Sequence, residues 1–473
     1  MLTEVQTALL ADVLVVLACL GFLVLFSRLA HSHPAVLYLV FHFYAVTMRL
    51  LGVSLETQTV FGRLINQGFY LPVTDSEIIR AALIADISLI VMTIAWVKAS
   101  VDAKKKDRES DGAFFRRLSK KYVLAVVAVA FPIGIIGLTV YGRLPGRESS
   151  ELASSLGAWE TSSWLFITMT WPGLVLLALI YLYGFRWWLT FLISLYLLLM
   201  MYQGYHRFRV IIPIILMTQI YLDRHRLKWP KIRYVVVLAG LFLLFFPLKS
   251  IGRAAQLAFS EDKTKQVSVE DIVNTSVEGI QLALTGGHDD QQILDQCASA
   301  LTLIDESGNF YYGGTYLPLL TSPIPRQWWP EKPGLVDYIG DISKPWRPMK
   351  EMGMTPTFWG EAYANFGYLG IVMIPGLLAY GLGRAYFYAY RGPYFSVARF
   401  AYLLVACNLI QVFRDGMISL VVFTFVNMMP LMVIVLLHYV MPLLVGKTNH
   451  PEVTLESHQN QIPFRSGMGR LST

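Results

Sequence analysis

Long apolar stretches separated by short polar segments run along most of this chain of 473 residues. A helix that crosses the hydrocarbon core of a bilayer, about 30 Å thick, needs roughly 20 predominantly apolar residues. Stretches of about this length predict about eleven helices and therefore an all-α membrane protein. The predicted helix cores are residues 9–29, 35–53, 78–97, 122–141, 162–183, 187–202, 210–222, 234–248, 366–390, 397–413 and 417–445.

The positions of these stretches divide the chain into four regions. Residues 1–250 contain the first eight helices, residues 251–365 form one large loop, residues 366–446 contain the last three helices, and residues 447–473 form a polar tail that we expect to be disordered. A loop of this length is typical of a functional segment rather than a connection. Its first half has apolar residues at helical spacing, which predicts two short amphipathic helices on or in the membrane surface, separated at Gly286–Gly287.

Positive charge is concentrated in two loops. Residues 98–121 contain nine Lys and Arg, and residues 223–233 contain five more. Short loops rich in Lys and Arg stay in the cytoplasm, so both are predicted to lie inside, with the N-terminus outside and the C-terminal tail inside. Arg384, Arg391 and Arg399 then surround a cytoplasmic turn. The membrane accounts for the net charge of +7, and no nucleic-acid partner is needed.

The composition argues against a soluble protein, a disulfide framework and a Cys-rich metal site. Hydrophobic residues make up 55% of the chain and charged residues only 15%, far from the averages of soluble domains. Three scattered cysteines, Cys19, Cys297 and Cys407, imply neither a disulfide framework nor a Cys-rich metal site.

Several arginines fall on the predicted outer face, against the charge rule. A single arginine at a helix end commonly extends its guanidinium to the lipid headgroups. Arginines that converge from different helix ends indicate instead an anion site, because a guanidinium can bind phosphate through two parallel hydrogen bonds. Both interpretations stay open at this stage. The arginines are Arg207, Arg209, Arg253 and Arg414.

Three polar side chains, those of Arg49, Asp86 and Asn408, lie within apolar stretches. Such a residue is costly in a membrane and normally faces a polar partner or a cavity. We regard these three as weaker functional candidates.

The segment 321–334, TSPIPRQWWPEKPG, combines prolines, two adjacent tryptophans and basic side chains. Prolines stiffen the backbone, and tryptophan prefers the boundary between lipid and water. Trp328 and Trp329 are either an interfacial anchor or a platform on which a sugar stacks. Arg326 and Lys332 beside them favour a site that holds a phosphate and a sugar.

Two motifs in and after the large loop resemble those of the oligosaccharide repeat-unit polymerases, the Wzy-type O-antigen polymerases. The resemblance covers about 50 residues in detail and the rest of the chain only in its helix count and large outer loop. The matching residues are Pro323, Pro325, Arg326, Trp329, Pro330, Lys332 and Pro333, followed by Gly360, Glu361, Tyr363, Asn365, Phe366, Gly367 and Gly370.

The resemblance implies a glycosyltransferase in the bacterial inner membrane. A growing glycan on undecaprenyl pyrophosphate would be transferred, at the outer face, to the free sugar end of a single lipid-linked repeat unit. The partners are then lipid-linked glycans, membrane lipids and a chain-length regulator. No nucleotide sugar, metal or other cofactor is expected.

Candidate catalytic groups follow from this reaction, in which a sugar hydroxyl attacks an anomeric carbon. A carboxylate or histidine could orient or deprotonate the acceptor. Glu361 is the first candidate, with helix capping as the alternative, and His288, Asp289 and Asp415 are further candidates. The arginines above, with Lys332, Trp328, Trp329, Tyr363 and Asn365, are predicted to bind substrate.

Two other functions remain open. An O-antigen ligase shares the many helices and the large outer loop but delivers the glycan to a lipid core. A transporter would show internal repeats and broken helices that meet at mid-membrane. The two halves of the chain show no convincing repeat, and the candidate residues gather at one face, which favours catalysis.

Overall fold

The computed structural model describes residues 3–27, 29–55, 73–105, 117–141, 168–202, 208–232, 293–321, 357–417 and 428–444, with a few isolated residues besides. Within these ranges the backbone is helical, apart from turns and one isolated antiparallel bridge between Arg117 and Ser396.

The described membrane helices overlap the predicted apolar stretches, although their ends differ, as where one helix continues to Lys105 instead of ending at residue 97. Trp187–Tyr202 coincides with its prediction, whereas predicted helix 234–248 lies outside the described residues. The α-helices are α1 (Glu4–Phe26), α2 (Pro34–His42), α3 (Met48–Ser54), α4 (Asp75–Lys105), α5 (Lys120–Tyr141), α6 (Trp171–Tyr183), α7 (Trp187–Tyr202), α8 (Phe208–Arg224), α9 (Ile293–Ser307), α10 (Leu317–Thr321), α11 (Thr357–Arg391), α12 (Val397–Ala406), α13 (Leu409–Asp415) and α14 (Met429–Leu444).

Six helical segments in the described part of the chain are long and apolar enough to cross a membrane. One of them is continuous through a π-helix, Phe43–Thr47, which joins α2 to α3. The all-α membrane class is therefore confirmed, while the number of eleven spans stays a prediction. The six segments are Glu4–Phe26, Pro34–Ser54, Asp75–Lys104, Lys120–Leu138, Thr357–Arg391 and Val397–Asp415.

Helix α11 begins at Thr357, nine residues before the predicted start at Phe366. Phe366 and Gly367 have non-helical dihedral angles, with φ −139° and +59° respectively, and they divide α11 into two helical pieces. The positive φ suits glycine, which has no Cβ to clash with the backbone. The predicted start of this helix therefore coincides with the break in α11. Residues 357–365, which were predicted to belong to the loop, form a further helical piece before it.

The apolar side chains form two main cores. One lies around α1 to α4, α9 and α11, with the fully buried Tyr38, Trp96 and Trp359 among its largest side chains. The other lies around α5 to α8, α12 and α14. Helices α4 and α11 approach closely because α11 carries glycine at their contact: a Cβ added to Gly383 would lie 2.9 Å from the Ala99 Cβ. Small residues at helix contacts are typical of membrane bundles.

Helix α9 belongs to the large loop and packs onto the helices rather than lying flat on a membrane surface. Nine of its residues are buried. Its Asp295 pairs with Arg49 at 2.8 Å, and both side chains are almost fully buried. The second predicted amphipathic helix is therefore present but docked on the protein, and the first, around residues 272–284, lies largely outside the described residues.

The two basic loops border the same end of the helices. The Leu118 N–H donates to the Phe395 carbonyl at 2.9 Å, and the Arg224 guanidinium lies 5.3 Å from the Phe395 ring centre. Arg399 pairs with Asp223 at 3.0 Å. Helix α9 contacts the opposite ends of α4 and α11. We call these two ends the basic end and the loop end.

Candidate functional site at the loop end

The carboxylate of Glu361 lies at the centre of the loop end. Glu361 is buried on the first helical piece of α11. Its Oε1 accepts a hydrogen bond from the Thr315 hydroxyl at 2.9 Å, and its Oε2 accepts one from the Met417 backbone N–H at 2.7 Å. One carboxylate thereby joins α11 to the loop segment before α10 and to the turn after α13.

The turn after α13 is built around Gly416, which has φ +92°. A Cβ at this position would overlap the Glu361 carboxylate. Glycine is therefore required twice, for its backbone conformation and for the close approach of the side chain. The close approach is what lets the Met417 N–H reach Glu361.

Asn365 lies on the same helical piece and holds the loop segment. Its amide Nδ2 donates to the Thr315 hydroxyl at 2.7 Å and to the Glu361 carbonyl at 2.8 Å. Its Oδ1 accepts from the Gly313 N–H at 2.9 Å. The backbone N–H of Tyr312 also donates to the Asn365 carbonyl at 3.1 Å. All of these bonds go to protein atoms, so the geometry gives Asn365 a positioning role.

Tyr316 completes the buried side of this network. Burial and the nearby Glu361 carboxylate raise the pKa of the Tyr316 phenol above its ordinary value. The phenol therefore keeps its proton at any physiological pH. Its ring stacks on Phe366, with 6.5 Å between ring centroids, at the break in α11.

Tyr363 faces a second, partly exposed group of polar side chains. Its hydroxyl donates to Asp305 Oδ1 at 2.6 Å and accepts from the Arg80 guanidinium at 2.8 Å. Arg80 and Asp305 pair at 2.5 Å, with side chains 31% and 38% exposed. The guanidinium of Arg80 is thus accessible from outside the helices at the loop end, whereas Tyr363, to which it donates, is only 3% exposed.

Arg80, Asp305 and Thr315 were not predicted from the sequence. Arg80 had a usable signal, because it is an arginine near the predicted outer end of a helix, like the arginines that were selected. Thr315 and Asp305 had none, since their partners are 46 and 58 residues away in the chain.

Arg414 and Asp415 immediately precede Gly416. Their side chains approach to 3.4 Å and are 24% and 18% exposed. The two side chains therefore form an ion pair at the turn. It lies next to the backbone that contacts Glu361.

The other predicted site residues are described only in part. Trp329 is 39% exposed. Arg209 is in the first turn of α8, whose last turn lies at the basic end, so Arg209 belongs to the loop end. The following predicted residues lie outside the described ranges: Arg207, Arg253, His288, Asp289, Arg326, Trp328 and Lys332.

Helix capping does not account for Glu361. The capping hydrogen bond at the start of α11 goes from the Gly360 N–H to the Thr357 hydroxyl, at 3.1 Å. The Glu361 carboxylate points instead to Thr315 and Met417. It can fix the relative positions of three segments, and as a buried carboxylate it can also take up a proton.

Comparison of the chain with protein-family models, with curated proteins and with solved structures finds no match. The resemblance described above therefore rests on its motif residues alone.

Proposed function

We propose that the protein polymerises undecaprenyl-pyrophosphate-linked oligosaccharide repeat units at the outer face of a bacterial inner membrane. The observation that carries this proposal is the position of the motif around Glu361. Its polar residues Glu361, Tyr363 and Asn365 all reach from α11 to the described part of the large loop. The motif thus lies where that loop meets the ends of the membrane helices.

The distribution of charge supports an outer position for the loop end. The two loops rich in Lys and Arg border the opposite end, and such loops stay in the cytoplasm. The sugars and pyrophosphates of lipid-linked substrates lie at the membrane surface, because their lipid tails cannot leave the bilayer cheaply, at about 0.8 kcal/mol per CH₂. A site for them should therefore lie at a helix end, as the loop end does.

The partly exposed guanidinium of Arg80 is the proposed contact for the substrate. In the proposed step the acceptor hydroxyl oxygen bonds to the anomeric carbon of the donor, whose bond to the pyrophosphate oxygen breaks. The hydroxyl proton goes to a base, and the lipid pyrophosphate leaves as an anion. Positive charge placed at that anion stabilises the transition state. Arg80 can supply such charge, because its guanidinium is 31% exposed and carries N–H donors beyond those that bind Asp305 and Tyr363.

Glu361 has one of two roles within this proposal. As a general base it takes the proton of the acceptor hydroxyl. As a positioning residue it holds the turn that carries Arg414 and Asp415 against the loop. The buried hydrogen bonds from Thr315 and Met417 favour the positioning role, and the two roles separate by experiment as described in the Discussion.

The biological test is the surface polysaccharide of a strain that lacks this protein. Polymerisation predicts single repeat units attached where a ladder of lengths is found in the parent strain. Loss of all attached glycan, with free lipid-linked chains accumulating, would indicate a ligase. Accumulation of single units on the cytoplasmic side would indicate a transporter, and either result would contradict the proposal.

A further inference from the structure

Three ionisable side chains meet inside the helical bundle, away from the loop end. His42 Nε2 lies 2.8 Å from Asp12 Oδ1 and 3.3 Å from Asp86 Oδ1. Asp12 and His42 are completely buried, and Asp86 is 5% exposed. The three belong to α1, α2 and α4, so the cluster joins three different helices.

The cluster lies near the middle of these helices. Asp12 is eight residues beyond Glu4, Asp86 is eleven beyond Asp75, and His42 is twelve before Ser54. At about 1.5 Å per residue, these positions lie roughly 12 to 18 Å from the helix ends at the loop end. A hydrocarbon core about 30 Å thick has its midplane at a similar depth. These charges are therefore held where water is excluded.

The charges within the cluster do not balance. Two ionised carboxylates carry two negative charges, and a protonated His42 would supply only one positive charge. Among the described residues, no Lys or Arg forms an ion pair with Asp12 or Asp86. An uncompensated buried charge costs several kcal/mol, so either a further proton or a bound cation must balance the cluster.

Atoms that could bind such a cation are available. Beside His42 Nε2, the carboxylate atoms Asp12 Oδ2 and Asp86 Oδ1 are buried and have no hydrogen-bond partner within the part of the chain that is described. One ligand atom from each residue can be chosen so that all three lie within 4.8 Å of one another. The Tyr38 hydroxyl, equally buried, also lacks a hydrogen bond among the described residues, and its ring lies 5.9 Å from that of His42.

The backbone next to His42 is unusual as well. The π-helix Phe43–Thr47 begins directly after it. Single π-turns within α-helices occur frequently at functional sites, because the extra residue rotates the side chains on either side. Here the segment separates His42, which faces α1 and α4, from Arg49, which faces α9.

We propose that Asp12, His42 and Asp86 bind a divalent transition-metal ion of the Zn²⁺ class. One imidazole and two carboxylates are a ligand set that Zn²⁺ accepts, with bonds of about 2.0–2.2 Å. Tetrahedral ligands at such bond lengths lie roughly 3.3 Å apart, close to the observed distances from His42 Nε2. A doubly charged ion with a neutral imidazole also makes the cluster electroneutral. The ion joins α1, α2 and α4 and takes no part in chemistry at the loop end.

The test measures metal content in the full-length protein, purified through a tag without histidine and held in lipid nanodiscs. The protein is treated with a chelator, dialysed against Zn²⁺ alone, washed and analysed by mass spectrometry of the elements. The proposal predicts about one Zn²⁺ per chain. His42→Gln and Asp86→Asn should each reduce this content to about a tenth.

His438→Gln is the matched control. His438 is also buried on an apolar helix, but its ring contacts the backbone of Ser119 and Ile434 rather than carboxylates. This variant should retain the wild-type zinc content.

A second measurement does not depend on how well the variants fold. Added Zn²⁺ should raise the melting temperature of the chelator-treated wild-type protein, because a ligand that binds only the folded state stabilises it. Co²⁺ in place of Zn²⁺ should give visible absorption bands of a site with nitrogen and oxygen ligands. If the wild-type protein neither binds zinc nor gains this stabilisation, the proposal is overturned. Protons would then balance the charge of the carboxylates. Zinc content unchanged in both His42→Gln and Asp86→Asn would overturn it too.

Discussion

The Met417 N–H donates to Glu361 Oε2 at 2.7 Å across a turn in which only glycine fits at position 416. Because the Thr315 hydroxyl binds the other carboxylate oxygen, Glu361 makes the position of the turn depend on that of the large loop. A change at any one of these residues should therefore affect the others.

Replacing Glu361 by glutamine separates its two possible roles. Glutamine can still accept from Met417 through its oxygen and donate to the Thr315 hydroxyl through its amide, so the folded structure should persist at a cost of about 1–3 kcal/mol. A general base would lose its function, and chain growth would fall by about 10² to 10⁴. A positioning residue would lose less than about tenfold, in line with its small structural change. Chain growth and melting temperature are measured on the same preparation.

Glu77→Gln is the control for this substitution, since Glu77 also lies at the loop end, where it accepts from the Thr302 hydroxyl at 2.7 Å. It should leave the rate of chain growth unchanged. An equal loss of rate in both variants would mean that neither role belongs specifically to Glu361.

Gly416→Ala should lower the melting temperature clearly, because the new methyl group meets the Glu361 carboxylate and the backbone has φ +92°. Gly308→Ala is the matched control, with φ +63° and no atom within 4 Å of the added Cβ. A positive φ costs alanine about 1–2 kcal/mol at either position, and the extended ψ of −179° adds further strain at Gly416. Only Gly416→Ala should lose more folding free energy than this, because only its methyl group meets the Glu361 carboxylate. Equal melting temperatures for the two variants would refute the close packing of turn and carboxylate.

Arg80→Ala should reduce chain growth by about 10- to 100-fold, the equivalent of one hydrogen bond to a charged group. Arg80→Lys should restore part of the rate, since an ammonium keeps the charge but lacks the planar fork of the guanidinium. Lys98→Ala removes a cation from an exposed pair with Asp102 at the basic end and should have no effect. A full rate in Arg80→Ala at normal protein abundance would remove Arg80 from the proposed substrate contact.

Cys297 should be unreactive in the folded protein. Burial raises the pKa of its thiol to about 11, and the thiolate is the form that reacts, so at pH 8 only about one thiol in a thousand is ionised. Reactivity should appear at pH values near 11 or on unfolding. Rapid labelling of Cys297 at pH 8 by a thiol reagent would contradict the buried position of α9.

The same reagent, in membrane-impermeant form, can test sidedness on cells with a permeable outer layer. Cysteines introduced at Ser260 and Lys332 should react, whereas one at Lys105 should not. The reverse pattern would place the loop end in the cytoplasm and would contradict the proposed orientation.

The sequence predicted the helices well because their signal is local. Apolar stretches of bilayer length locate a helix whatever it packs against, as at Trp187–Tyr202. The start of α11 was missed because Glu361 and Asn365 are polar residues typical of a loop. They occur in a helix because their side chains bind the loop and the turn.

The pairings inside the bundle could be predicted only in part. Arg49 and Asp86 were expected to face polar partners, and they do, in Asp295 and His42 respectively. Asp295 is 246 residues from Arg49 along the chain. A pairing over such a separation cannot be predicted from the periodicity or the local spacing of residues. Asp12 and His42 were missed for the same reason, since each looks like an isolated polar residue in its own helix.

The most direct test of the proposed function uses purified wild-type protein in lipid vesicles with undecaprenyl-pyrophosphate-linked single repeat units as the only substrate. The account predicts products that contain two, three and more units, with release of undecaprenyl pyrophosphate for each bond formed and without added metal or nucleotide sugar. Repeat units that stay single, from protein that is folded and binds them, would contradict the claim that this chain is a polymerase.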